Sequence, residues 1–137
     1  MLTWNAATMS TGVADIDEQH QELIKKLNEL MANMHQGTGR EALRERMEFL
    51  ADYAAWHFKH EERCMDAYRC PAAAVNKQAH ADFIRTFASL KERVEREGAT
   101  TLLVIETQQQ LSDWLRSHIV KVDTQMKSCV KRAPQPA

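Results

Sequence analysis

Tyr53-Ala-Ala-Trp56-His57-Phe58-Lys59-His60-Glu61-Glu62 is the stretch that decides how the chain is read. His57 and Glu61 are four residues apart, so on a helix they stand on one face, one turn from each other. Leu50, Tyr53 and Ala54 precede them on that face, which therefore points inward. An imidazole and a carboxylate held this way can bind one metal ion, or pass the carboxylate across to a second. A charge left unpartnered on a buried stripe is costly. The rest of the chain must supply the partners.

The chain has 137 residues, one domain with enough length for a core. With 44% apolar and 27% charged residues it has the profile of a soluble globular protein. A net charge of -1 gives no electrostatic support to a nucleic-acid or anionic-membrane partner. Only four glycines and three prolines occur, which favours long helices over a strand-and-turn architecture. The longest aliphatic run, Leu102-Leu103-Val104-Ile105, is far too short to cross a bilayer. No basic and apolar leader pattern is evident, so a cytoplasmic monomer without membrane insertion is expected. Cys64, Cys70 and Cys129 are odd in number and lack CxxC spacing. They are expected to be reduced thiols, with Cys64 and Cys70 bystanders rather than a redox pair.

Outward from the opening stretch, the apolar spacing reads as four helices. Residues 1–15 show no helical period and read as an extended arm, with Trp4 packed across a bundle end. Asp15 or Asp17 serves as N-cap of a first helix to about Met34, carrying Leu23, Ile24, Leu27, Leu30, Met31 and Met34. The second runs from near Arg40 to about Tyr68, with Leu43, Met47, Leu50, Tyr53, Ala54 and His57 on one stripe. Cys70-Pro71 closes it. The third reaches Glu97 with Val75, Phe83, Ile84, Phe87, Leu90 and Val94, and Gly98 ends it. The fourth starts at Thr100 or Thr101 and carries Leu103, Val104, Leu111, Trp114, Leu115 and Ile119. These predict an all-α, antiparallel up-down-up-down four-helix bundle over residues 1–130, with 131–137 a flexible tail.

Four of the six histidines, His20, His57, His80 and His118, sit on inward stripes, one per helix. A lone histidine on an apolar face is most often a hydrogen-bonded core residue. Four of them at the same end of an antiparallel bundle fit a metal site built from facing helices. Glu61 and Asp123 add carboxylates. Six donors are too many for one tetrahedral ion, so two ions bridged by Glu61 and Asp123 is the economical count. Nitrogen and oxygen donors without thiolate suit Fe, Mn or Zn. His35, His60 and Glu62 read as surface residues. Ile24, Leu50, Phe83, Leu115 and Ile119 are candidate walls of a dry pocket, or ordinary core.

Taken together, Trp4, Gly12-Val13-Ala-Asp-Ile16-Asp17-Glu-Gln19-His20, His57-Phe58-Lys-His-Glu61-Glu62, His80-Ala-Asp-Phe83 and Trp114-Leu115-Arg-Ser-His118-Ile119-Val-Lys-Val-Asp123 resemble the hemerythrins, most closely the single-domain bacteriohemerythrins. The resemblance spans about residues 4 to 126. It implies a non-haem centre of two iron ions (Fe2+/Fe3+) with a bridging oxo or hydroxo, binding O2 reversibly. By that resemblance His20 and His57 hold the O2-binding iron, His80 and His118 serve the other, and Glu61 and Asp123 bridge them.

The chain departs from the family at Asn76, which stands at i−4 from His80 where a histidine is usual. An amide oxygen is a harder, weaker ligand than imidazole and gives way more readily to water. Either Asn76 or water completes the second iron's shell and O2 storage, delivery or sensing persists, or an open position favours oxidase, peroxide or NO chemistry. Iron buffering is a further alternative. The expectation is an O2-binding protein rather than an enzyme.

Overall fold

In a computed structural model of the chain, residues 1–37 and 39–132 are described, with the side chain of Arg132 excepted. The order is α1 (Ala6–Met9), α2 (Ala14–His35), α3 (Arg40–Ala67), α4 (Ala73–Glu97), α5 (Thr101–Thr107), a π-helical segment Gln108–Asp113, α6 (Trp114–Lys121), a 3-10 turn Asp123–Gln125 and α7 (Met126–Arg132). No strand occurs among the described residues. Helices α2, α3, α4 and the α5–π–α6 rod form the helical bundle. Their buried stripes meet in one apolar cluster that runs from Leu23 to Ile119.

The expected stripes of the first two helices face inward, with Tyr53 only half-buried. On α4 the inward line is Asn76, His80, Phe83, Phe87, Leu90 and Val94. Val75 and Ile84 lie off that line by about a quarter turn and are exposed, contrary to expectation. The fourth helix is not one regular rod. Gln108–Asp113 adopts a wider π turn, which shifts the register by a fraction of a turn so that Trp114, Leu115 and His118 face the bundle.

The N-terminal arm is not extended throughout, because Asn5 caps a one-turn helix by accepting from the Ala7 amide. Neither Asp15 nor Asp17 caps α2. Val13 occupies the cap position, and Asp17 instead accepts from the backbone amide and hydroxyl of Thr11 at 2.8 and 2.9 Å. This ties the arm to the first turn, where acidic groups also suit the helix dipole. Trp4 packs against the main core cluster.

The cysteine expectation is overturned. Cys70 and Cys129 are joined in a disulfide across a Cα–Cα distance of 5.3 Å, and Cys64 alone is free. The pairing joins residues 59 apart that no local spacing brings together. Just before Cys70, α3 ends in a Schellman turn: Arg69 N–H donates to Asp66 and Cys70 N–H to Met65 at 2.8 Å. Arg69 holds the left-handed conformation there at φ 52°, a strain glycine would avoid. At the far end, the 3-10 turn and α7 carry the chain helically on to Arg132, past the four helices expected. Of the expected flexible tail, residues 133–137 lie outside the described residues.

Candidate metal centre

The six expected donors converge at one end of the bundle. His20 comes from α2, His57 and Glu61 from α3, His80 from α4, His118 from α6 and Asp123 from the 3-10 turn. All are buried, with exposures of 0–6%. The rings form two pairs, His20 with His57 at 4.7 Å between centroids and His80 with His118 at 5.2 Å.

The two carboxylates divide between these pairs. Glu61 Oε2 lies 2.9 Å from His20 Nε2 and 3.3 Å from His57 Nε2, while its Oε1 lies 3.3 Å from His80 Nε2. Asp123 Oδ2 lies 3.1 Å from His20 Nε2 and its Oδ1 3.1 Å from His118 Nε2. Two groups of donors each gather within 4.8 Å: His20, His57 and Glu61, and Glu61, His80, His118 and Asp123. Glu61 belongs to both.

Hydrogen bonds around the donors set which ring nitrogens face the centre. His57 Nδ1–H donates to the Gln19 carbonyl oxygen at 2.7 Å, and His80 Nδ1–H to the Glu62 carboxylate at 2.9 Å. A carboxylate can only accept, so on His80 the proton sits on Nδ1 and a neutral ring turns a bare Nε2 inward. Gln19 has the same effect on His57. When the rings are neutral, as metal ligation requires, each bare Nε2 faces a Glu61 oxygen at 3.3 Å, lone pair toward lone pair. His80 Nε2, Asp123 Oδ1 and His20 Nδ1 are buried without a hydrogen-bond partner. The first two are near an opposite group in distance but off the hydrogen-bond direction. A cation between such atoms turns repulsion into ligation. Their spacing suits one, since two ligand bonds of about 2.1 Å at right angles end roughly 3 Å apart. The residues therefore fit a metal.

The electrostatics carry the same tension. Burial disfavours charge on His20, yet Asp123 and Glu61 outweigh it and push its pKa up to about 10. Burial wins at His57, lowering its pKa despite Glu61. At His80 burial is overcome by Glu61 and Glu62, and the pKa rises. Burial would raise Glu61, but the His20 hydrogen bond and the positive charge that His57 and His80 carry when protonated hold its carboxyl well below the usual range.

Asn76 is fully buried inside the cluster. Its amide N–H donates to Glu61 Oε1 at 2.8 Å, and its carbonyl accepts from His118 Nε2 at 2.7 Å. The departure seen in the sequence thus bridges one carboxylate and one histidine of the set.

Sequence reasoning missed three supports. Glu62 is not an independent surface residue but the orienting partner of His80. Gln19, 92% buried by its 8% exposure, orients His57. Phe58 stacks on the His80 ring at 3.9 Å and 9°. Helical spacing reveals none of the three, because each partner lies on a different helix. Trp114 stacks on His118 at 4.5 Å, whereas Trp56 stays largely exposed over the half-buried His60. Ile24, Leu50, Phe83, Leu115 and Ile119 are buried in the main core cluster. His35 is exposed as expected. No helix among the described residues is long and apolar enough to cross a membrane.

Comparison with known proteins agrees with this geometry. The chain is 29% identical over 130 residues to the bacteriohemerythrin of Methylococcus capsulatus, covering 95% of this chain and 97% of that protein. It is 26% identical over 113 residues to Myohemerythrin-1 of Phascolopsis gouldii, covering 82% of each. A crystal structure of wild-type hemerythrin superposes with a TM-score of 0.83 at 29% identity, over 95% of this chain and 98% of the other. The hemerythrin HHE cation binding domain matches residues 11–130, nearly the whole described bundle with its cluster of donors, and the chain belongs to that family of metal-binding proteins.

Proposed function

We propose that this chain binds dioxygen at a non-haem di-iron centre. One observation carries the reading: both carboxylates split their oxygens between the two histidine pairs. His20 and His57 would hold one iron, His80 and His118 the other, and Glu61 and Asp123 would bridge them. When bound, the iron pair supplies the electrons with which O2 is held reversibly. The chain's own residues do the rest. Gln19 and Glu62 keep two imidazoles in the tautomer that presents Nε2, and such outer partners set ligand basicity and orientation. Phe58 and Trp114 stack flat on His80 and His118 and limit their rotation. Ile24, Leu50, Phe83, Leu115 and Ile119 form the apolar surround that keeps water and protons from the ligand.

The test is metal analysis of the purified protein with an absorbance spectrum before and after the reduced form meets air. Two irons per chain and a visible band that disappears when O2 is stripped away support the reading. Fewer than one iron per chain, or no O2-dependent band, would sink it.

Asn76 favours a second reading, oxidase-type turnover of O2 or peroxide. It replaces an imidazole with an amide already engaged by Glu61 and His118. Stopped-flow mixing separates the two: direct passage to a ferric product rules out the carrier, and a long-lived reversible band rules out the oxidase.

A further inference from the structure

Beside the metal centre lies a second buried cluster of Ile16, Met65, Cys70, Met126 and Cys129. Its contacts pack α7 against α2 and α3 through Met126 and Cys129. Asp123 sits in the 3-10 turn, and α7 follows that turn directly at Met126, with no loop between. The position of Asp123 is therefore inherited from where α7 lies. Helix α7 is seven residues long and is the last described element. A helix of that length is marginal on its own and opens locally at low free energy unless tied down. The tie is Cys129, bonded to Cys70 at the strained Schellman turn that ends α3.

We propose that the Cys70–Cys129 disulfide is a thiol-exchange site, and that its reduction by a dithiol frees α7 and with it loosens Asp123 from the ligand cluster. The link to metal retention rests on the di-iron reading; the release of α7 does not. The exchange balances in two steps. A thiolate of the dithiol attacks Cys129 Sγ, the S–S bond breaks, and Cys70 leaves as a thiolate that takes up a proton. The reagent's second thiol, losing its proton, then attacks the mixed disulfide and closes the reagent's own disulfide. Cys129 leaves as a thiolate and is protonated. Two electrons and two protons pass from the dithiol to the two cysteines, which are reduced as the dithiol is oxidised. Cys70 and Cys129 are only 6% and 3% exposed, so attack requires a brief local opening of the cluster around them. That requirement makes the reaction a report on how firmly the cluster is closed.

The experiment uses the full chain in three linked measurements, the iron-release assay on the iron-loaded form and the hydrogen exchange on the metal-free form. Alkylation and mass analysis count thiols with and without dithiothreitol: one is expected before, three after. Capture of ferrous iron by a chelator is expected to run about tenfold faster after reduction, the scale on which loosened ligand support weakens a metal site. Cys129→Ser should release iron at the fast rate with no further response to dithiothreitol, and Cys64→Ser should behave as the parent. Hydrogen exchange on the metal-free chain should show residues 123–132 losing protection on reduction while α3 and α4 keep theirs. Three thiols before any reductant, or one after it, would overturn the exchange site. Unchanged protection at 123–132 in the fully reduced chain would overturn the release of α7. Lost protection with an unchanged release rate would overturn the link to Asp123. A chain that takes up no iron refutes the di-iron reading alone, since hydrogen exchange still decides the staple.

Discussion

Replacing Gln19 by leucine keeps the volume on α2 but removes the acceptor that His57 Nδ1–H donates to at 2.7 Å. Both residues are buried, His57 at 1% exposure and Gln19 at 8%, and a leucine leaves little room for water to take over. His57 is held neutral by burial above its lowered pKa, so near pH 7 the Nδ1 proton stays and is left without a partner. An unsatisfied buried donor of this kind destabilises by about 1–3 kcal/mol. The imidazole is also free to turn or change tautomer, and lost outer-shell support lowers metal affinity roughly 10–100-fold, or about 1.4–2.7 kcal/mol. Urea unfolding of the metal-free variant measures the first loss, and competitive titration against a chelator measures the second. Glu62→Ala, at a carboxylate about one-quarter exposed, should do the same to His80 more weakly, because water can replace the acceptor. A folded Gln19→Leu chain whose metal affinity stays within about twofold of the parent would refute the claim that Gln19 presents His57 to the metal.

The remaining predictions concern protons, Asn76 and the second cluster. Metal loading must expel the proton that Asp123 and Glu61 hold on His20 against the penalty of its burial, so apparent affinity should rise between pH 7 and 10, by about tenfold per pH unit for each proton released; a flat titration over that window would contradict it. The His20 pKa in the metal-free chain is raised from 6.5 to about 10, so its stabilising contribution is full below pH 6.5 and fades as pH climbs toward 10. Calorimetry should show the metal-free Tm falling across that range and the metal-loaded Tm holding, apart from other groups. Asn76→His restores an imidazole at i−4 from His80 and gives up the bond to Glu61; stopped-flow should show a longer-lived O2 complex, and a shorter one would clear Asn76 of responsibility. Met126→Ala removes a fully buried side chain from the cluster around the disulfide, and should cost about 2–5 kcal/mol in urea unfolding; Phe49→Ala, on a 63% exposed residue, should stay within about 0.5 kcal/mol.

The helical bundle was legible because the 3–4 spacing of Leu23 to Met34, Leu43 to His57 and Phe83 to Val94 repeats at the helical period with so few glycines and prolines to interrupt it. The convergence of His20, His57, His80 and His118 was legible for the same reason: once four helices alternate direction, their positions along each helix set a common level. Val75 and Ile84 misled because a hydrophobic residue one step off the stripe looks the same in sequence, while about 100° of rotation per residue turns it to solvent. The π segment before Trp114 was hidden because one extra residue in a turn leaves no compositional mark.

By itself, the sequence determined what depends on local period and on residue chemistry: the long helices, most of the inward face of each, and the candidate donors His20, His57, Glu61, His80, His118 and Asp123, with the resemblance marking the amide at Asn76 as a departure. Only the tertiary structure decided what depends on how helices rotate against one another. That rotation brings Gln19 to His57, Glu62 to His80 and Phe58 onto the His80 ring. It also brings Cys129, 59 residues from Cys70, within reach of a disulfide. Side chains on one helix are related by a fixed geometry that spacing encodes; side chains on different helices are related only by packing, which no spacing encodes.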